Sequence, residues 1–220
     1  MKLIYPSFEV QWPHEHELGH YIADIENIAR TCYRSHILGN YEDSKAFVKR
    51  LITNGHEAML EHKSLTVKFT VDRGVTHELV RHRMASFAQE STRWCNYSNT
   101  RFGKEIRFVI PRFFDERKGT DKSEQFSLWL EACQRAEEMY FALLSKGATP
   151  QEARTVLPNS TAADIVVTAN FREWRHILRL RTAKDAHPQM REVMCPLGTE
   201  LQRRIPIIFD DCVTAWRETT

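Results

Sequence analysis

The chain has 220 residues, of which 42% are apolar and 27% charged, the balance of a globular protein, and this excludes a disordered or collagen-like chain. Its longest apolar runs are a few residues, far below the roughly 18 that a membrane-spanning helix needs. A formal net charge of +2 provides no bulk field that would favour nucleic acid or a membrane surface.

Residues 2–11 read as a strand, and the opening Met1-Lys2-Leu3-Ile4-Tyr5-Pro6 lacks the apolar core of a secretory signal, so none is expected. After Pro13, the residues Ile22, Ile25, Ile28 and Ala29 recur at helical spacing. Lys45 to Ile52 reads as a second helix closed by Asn54-Gly55. From Ser64 to Val71 the chain alternates strictly, with Leu65, Val67, Phe69 and Val71 on one side and Thr66, Lys68 and Thr70 on the other, which is a half-buried strand. Gly74 to about Arg83 reads as a helix that buries Val75, Leu79 and Val80, and residues 84–101 read as irregular. Ile106 to Ile110 is a short strand ended by Pro111, and Lys118-Gly119-Thr120-Asp121 is the one plausible loop break. A long amphipathic helix from Lys122 to Ser145 stops at Lys146-Gly147, and Thr149-Pro150-Gln151-Glu152 starts a short one that ends at Leu157-Pro158. Ile165 to Thr168 suits strand or helix, while Asn170 to Arg181 and Gln189 to Arg203 are helices. Strands and helices mix without regular alternation, so one α+β domain over 1–220 is expected, with a modest, mostly antiparallel sheet packed by long helices.

The cations are 21 Arg against 10 Lys. Arginine matches phosphate oxygens in pairs, so an arginine-rich chain of low net charge points to local anion sites. Five scattered cysteines form no C-x-x-C pair; neither a zinc knuckle nor a disulfide framework is favoured, and a reducing cytoplasm is expected. His16-Glu17-Leu18-Gly19-His20 satisfies H-E-x-x-H, but the metzincin extension fails at Ala23 and Glu26, and a solvated turn is the simpler reading. Arg81-His82-Arg83, followed by Ser86, Gln89, Glu90, Ser91 and Arg93, combines cations with neutral donors of the kind found in phosphate nests. On the helix at 170–181, Asn170, Trp174, Ile177 and Arg181 share one stripe, which puts a guanidinium on a face that otherwise looks buried. Such a group must be bound to a ligand or paired, with Asp164 or Asp185 as candidates. Gly55-His56-Glu57 through Glu61-His62 reads from composition as polar capping, and Arg154 as a surface arginine. With no G-x-G, no G-K-[ST] and no G-x-S-x-G, a Rossmann fingerprint, a Walker loop and a nucleophile elbow are all missing.

The run Arg81-His82-Arg83-Met84-Ala85-Ser86-Phe87-Ala88-Gln89-Glu90-Ser91-Thr92-Arg93 resembles the signature R-H-R-x-x-S-x-N-x-x-S-x-R of the flavin-dependent thymidylate synthases at six of its seven specified positions, the exception being Ala88. Ala29-Arg30-Thr31-Cys32-Tyr33, Gly55-His56-Glu57 with Glu61-His62, Ala153-Arg154-Thr155-Val156-Leu157-Pro158, and Asn170-x-Arg172 with Leu180-Arg181 are similar to further segments of that family. The resemblance implies reductive methylation of dUMP to dTMP, with methylenetetrahydrofolate as carbon donor, FAD as hydride relay and NADPH as reductant. It also implies a homotetramer with active sites shared between subunits, and no nucleic-acid or membrane partner. By the same resemblance, Arg81, His82 and Arg83 would hold FAD, with Arg81 also near dUMP, and Asn170, Arg172 and His176 would line the flavin. Gln89, Glu90, Ser91, Thr92 and Arg93 would wrap the dUMP phosphate, with Gln89 also facing the cofactor. Arg154 would contact the pyrimidine or its sugar, and Arg181 would face the uracil carbonyl and N3 as the catalytic cation. Ser91 is expected as a phosphate donor, not a nucleophile, and no metal is expected. Glu78 stands where the family often has a nucleotide-contacting Gln; Ala58 replaces a hydroxyl residue and would meet FAD through backbone alone; Gln89, Thr92 and Trp94 also depart from the usual residues. The alternatives are a non-catalytic nucleotide- or RNA-binding module using the same arginines, and a zinc hydrolase on His16, Glu17 and His20.

Overall fold

The structure is a computed structural model that describes residues 1–12, 20–36, 40–115 and 122–213. In chain order its elements are β1 (Lys2–Ile4), β2 (Ser7–Gln11), α1 (Tyr21–Thr31), α2 (Tyr41–Thr53), β3 (Ser64–Asp72), α3 (Arg73–Leu79), β4 (Ser86–Gln89), β5 (Arg107–Val109), α4 (Ser123–Ser145), the one-turn α5 (Pro150–Ala153), β6 (Ala162–Asn170), α6 (Phe171–Arg181) and α7 (Pro188–Arg204). This is an α+β protein. The main sheet has the order β2-β3-β6-β4. Thr66 hydrogen-bonds Thr168 (2.8 Å) and Thr70 hydrogen-bonds Asp164 (2.8 Å), so residue numbers rise along β3 as they fall along β6, the mark of an antiparallel pair. The expected alternation in β3 holds: Leu65, Val67, Phe69 and Val71 are buried.

Several boundaries differ from the sequence reading. The strand at 2–11 is two strands broken at Tyr5-Pro6, where proline offers no N–H to a ladder; β1 pairs in parallel with β5, Lys2 opposite Arg107. α2 begins at Tyr41, ahead of Lys45, because Asn40 and Asp43 form a reciprocal capping box. α3 ends at Leu79, which leaves Val80 41% exposed and makes Arg81-His82-Arg83 a turn and not a helix end. β4 lies inside the stretch read as irregular, and Ile165 to Thr168 belongs to β6. His16 and Glu17 lie outside the described residues, as does the loop break at 118–121; His20 is exposed at the start of α1 and makes no side-chain capping bond.

The chain divides into two compact units, and β3 and β6 contribute residues to both. Unit 1 comprises Met1–Phe8, Lys68–Arg81 and Phe87–Val166. Its core packs Tyr97, Ile106 and Phe108 with Cys133 and Tyr140 of α4 and Ala153 of α5. Unit 2 comprises Glu9–Val67, His82–Ser86 and Val167–Thr220. There the Phe171 ring meets Tyr21 at 5.1 Å and Phe209 at 5.5 Å, both edge-on. Trp174, fully buried, donates its indole N–H to the Leu65 carbonyl (2.9 Å), which satisfies the one polar atom that its burial strands. Gly198 in α7 allows close approach of Val213: a Cβ there would lie 2.7 Å from that side chain. All five cysteines are unpaired thiols. Among the described residues no helix is long and apolar enough to cross a membrane.

Candidate active site

Two helices that carry predicted site residues start directly from strand ends. At the β3–α3 junction Asp72 Oδ1 accepts the Val75 N–H (2.9 Å), and at the β6–α6 junction Asn170 Oδ1 accepts the Glu173 N–H (2.9 Å). Each cap satisfies a backbone donor that the first helical turn leaves open, a contribution of about 1 kcal/mol. Asn170 was singled out as a flavin contact; its oxygen accepts the cap hydrogen bond, and the residue borders the cleft beside it.

In unit 2, His82 lies in the turn between α3 and β4 and is 5% exposed, whereas Arg83 is exposed. Arg181 of α6 donates its Nε–H to His82 Nε2 (3.0 Å), and His82 Nδ1 lies 3.5 Å from Glu173 Oε1. The His176 ring stands edge-on to His82 at 5.8 Å. Burial, then the Arg181 cation and His176, push the His82 pKa down to about 4. The imidazole is therefore neutral near pH 7, its Nε2 lone pair receives Arg181, and its proton sits on Nδ1 toward Glu173. Burial raises the Glu173 carboxyl, an effect His176 partly offsets. A cleft of about 450 Å³ opens here, bordered by Met84, Asn170, Arg172, Glu173 and His176. Arg172 is paired with Glu61 at 2.5 Å. Ala58, in the 3-10 turn at Glu57–His62, is exposed and offers no side-chain donor.

The sequence stripe on α6 is half right. Trp174 and Ile177 are buried, but Arg181 is half-exposed and meets His82, while Asp164 is held by Arg107 and Lys68. The fully buried guanidinium is Arg175, which the stripe missed. It donates to Asp211 (2.6 Å), Glu57 (3.0 Å) and the Ile208 carbonyl, and Arg179 joins the same two carboxylates. Burial alone would raise the Glu57 and Asp211 carboxyls; hydrogen bonds and charge from Arg175 and Arg179 outweigh it and hold both below their ordinary range. Arg175 shares a helical face with Phe171 and Leu178, at i−4 and i+3, and that spacing is the signal that could have found it. Glu57 is thus a charge partner and not a polar cap.

In unit 1, the segment 89–93 is fixed by several contacts. Gln89 donates to the buried Thr76 hydroxyl of α3 (3.0 Å). The Glu90 carboxylate accepts from Tyr97 Oη (2.7 Å), Arg107 Nη2 (2.9 Å) and the Asp164 N–H (3.3 Å). Burial, then the Glu90 charge, push the Tyr97 phenol well above its ordinary value, so it stays a donor. Asp164, which burial would raise, is held low by Thr70, Arg107 and Lys68. These groups line a cleft of about 720 Å³ that Ala88 and Arg101 also border. Ser91 Oγ accepts the Arg93 N–H (3.3 Å) and bonds no general base. Thr92 is buried and receives Arg154 Nη1 (3.4 Å); Arg93 donates to Gln151 (3.3 Å) and lies over the Trp94 ring at 5.3 Å. Glu78 is half-buried on α3, and Arg81 is exposed. Within each unit, then, distant parts of the motif helices and turns do converge: Thr92 with Arg154, His82 with Arg181.

The arginines fall into two groups. Arg107, Arg172, Arg175 and Arg179 are each neutralised by a carboxylate. Arg81, Arg83, Arg93 and Arg154 have no carboxylate within ion-pair distance among the described residues, and the partners of Arg93 and Arg154 are a neutral amide and a neutral hydroxyl. Among the motif arginines Arg172 is compensated by Glu61, while those of the R-H-R run and Arg154 are not.

The family model described as thymidylate synthase complementing protein matches residues 18–207. The flavin-dependent thymidylate synthase of Corynebacterium aurimucosum is 33% identical, over 92% of this chain and 84% of that protein, and that of Geobacter sulfurreducens is 32% identical, over 86% and 81%. Among solved structures, the UMP/dUMP methylase PolB from Streptomyces cacaoi bound with 5-Br dUMP superposes with a TM-score of 0.73 at 22% identity, covering 96% of each chain, which shows the shared fold. The match over residues 18–207 and relatives a third identical over most of the chain lead to one assignment: the chain belongs to the thymidylate synthase complementing protein family, whose relatives here are flavin-dependent thymidylate synthases.

Proposed function

We propose that this protein is a methyltransferase that converts dUMP to dTMP, with methylenetetrahydrofolate as carbon donor, NADPH as reductant and FAD as cofactor. The supporting observation is the charge state of the motif: among the described residues Arg81, Arg83, Arg93 and Arg154 have no carboxylate partner, whereas Arg107, Arg172, Arg175 and Arg179 are each paired with one. Anionic ligands are the complement that such groups need. The cofactor fits the donors present in unit 2: exposed Arg83 offers charge for a diphosphate, Asn170 an amide donor, and Met84, 71% exposed, an apolar surface for a flat ring. His82, His176, Arg172, Arg81, Gln89 and the Ala58 backbone complete the set proposed to hold it. FAD, when bound, supplies hydride transfer.

The residues do the rest. Arg93, with the hydroxyls and backbone of Ser91 and Thr92, holds the substrate phosphate; Gln89 and Glu90 shape that segment, Glu78 and Arg81 contact the nucleotide, and Arg154 contacts the pyrimidine or sugar. Arg181 presents a fixed cation to the uracil carbonyl and N3, favours the ionised base and so raises electron density at C5. Neutral His82 sets the orientation of Arg181 through the Nε–Nε2 bond. The assembly proposed is a cytoplasmic homotetramer in which neighbouring copies complete the active sites.

Glu90 carries the 89–93 segment through Arg107, so Arg107→Ala should raise KM for dUMP about tenfold, the loss of one charge-assisted hydrogen bond, with flavin content unchanged. Equal KM in the two proteins would remove Arg107 from that role. The function itself is tested by product analysis. Purified protein with dUMP, methylenetetrahydrofolate and NADPH should form dTMP with matching NADPH oxidation. UMP is run in parallel, because PolB is a UMP/dUMP methylase. Methylation of UMP alone would move the substrate; no methylated product from either nucleotide would overturn the proposal.

A further inference from the structure

The geometry points to a divalent transition-metal site formed by His82, Glu173 and His176, occupied only when Arg181 lets go of His82. Each of the three side chains offers one ligand atom, and these atoms all lie within 4.8 Å of one another. Glu173 and His176 stand at i and i+3 on α6, so both project from one face of the helix, the spacing by which Glu-x-x-His pairs hold metals in helical proteins. His82 comes from a separate turn and is buried, so the third ligand is fixed independently. Zinc–ligand bonds of about 2.1 Å put neighbouring ligands of a tetrahedral ion about 3.4 Å apart. His82 Nδ1 and Glu173 Oε1 are already 3.5 Å apart. Two histidines and a carboxylate suit Zn²⁺ and related ions, and the cleft that Glu173 and His176 border leaves room for water as a fourth ligand.

The hydrogen bond from Arg181 makes this site conditional. A neutral imidazole carries one proton and one lone pair. If Nδ1 takes the ion, the proton moves to Nε2 and faces the Nε–H of Arg181, donor against donor. If Nε2 takes the ion, the lone pair that Arg181 uses is gone. With either nitrogen, the ion and the Arg181–His82 hydrogen bond (3.0 Å) exclude one another. It follows, if Arg181 acts as set out under Proposed function, that free zinc inhibits turnover by releasing that cation.

The test is equilibrium dialysis of the purified full-length protein against ZnCl₂, with metal analysis, for the wild type, Glu173→Gln, His176→Ala and Arg181→Leu. The wild type should hold one more zinc per protomer than Glu173→Gln. Zinc affinity should fall about tenfold or more in Glu173→Gln and His176→Ala and rise about tenfold in Arg181→Leu, where the competitor is gone. Glu173→Gln keeps size and shape, and an unchanged melting curve separates lost ligation from lost folding. Equal zinc binding in the wild type and Glu173→Gln, or weaker binding in Arg181→Leu, would overturn the site. Because the proposed flavin set also uses His82 and His176, yellow samples are dialysed after their flavin has been stripped: a colourless protein that binds zinc in this pattern and takes up no added FAD sinks the flavin assignment alone, and a flavin-binding one that takes up no zinc once stripped sinks the metal site alone.

Discussion

Arg181→Ala should lower turnover about 10²–10³-fold while leaving the flavin bound, the usual loss when one preorganised charge donor is removed. The guanidinium is held in place by its Nε–H bond to His82 (3.0 Å), and burial and neighbouring charge keep that imidazole neutral, so the acceptor persists throughout the physiological pH range. In the role proposed for it, a cation whose position is set in advance needs no reorganisation as negative charge develops on the pyrimidine. Arg181→Lys should recover only part of the rate, since an ammonium lacks the planar fork that can hold His82 and still present a second N–H. Measured kcat together with flavin absorbance per protein decides the matter. Unchanged kcat in Arg181→Ala would remove this residue from catalysis; loss of flavin with loss of rate would make it a cofactor residue.

Glu57→Leu should destabilise the protein by roughly 3 kcal/mol in urea unfolding, the cost of leaving a buried charge short of its partner. Arg175 is fully buried while Asp211, its other carboxylate, is 52% exposed, so Glu57 is the partner that follows it into the interior. The same network sets an acid limit. Glu57 and Asp211 are held below their ordinary values by Arg175 and Arg179. The unfolded chain therefore takes up protons first: the stability they contribute is complete above the ordinary carboxyl pKa of about 4 and is lost as pH falls through the lower folded values. Glu57→Leu should flatten that slope as well as lower the plateau; an unchanged slope would assign the acid limit to other groups.

The parts legible in the sequence were those with local signals. Alternation defined β3, capping and glycine defined most helix ends, and the R-H-R run pointed to the family to which the chain belongs. The misses have a common physical cause. β4 is short and polar, so it shows little alternation, and its pairing is fixed by strands far along the chain. The β1–β5 pair joins residues about a hundred positions apart and has no period to betray it. Arg175 finds Glu57 at a separation of 118 residues and Asp211 at 36, and Glu90 finds Asp164 at 74; such pairs follow from the fold and not from spacing. The stripe on α6 was drawn through Asn170, which proved to be the cap preceding the helix, and this turned attention to Arg181 and away from Arg175. The partner that Arg181 does find could not be read from spacing either: its acceptor, His82, is 99 residues away.

A flavin and a nucleotide, two anionic ligands, are proposed to complete the arginines that lack carboxylate partners, and the visible absorbance spectrum of the purified protein before and after addition of dUMP tests this most directly. Bands of bound flavin that shift as dUMP is added are expected. A colourless protein that takes up no added FAD, or flavin bands indifferent to saturating dUMP, would contradict it.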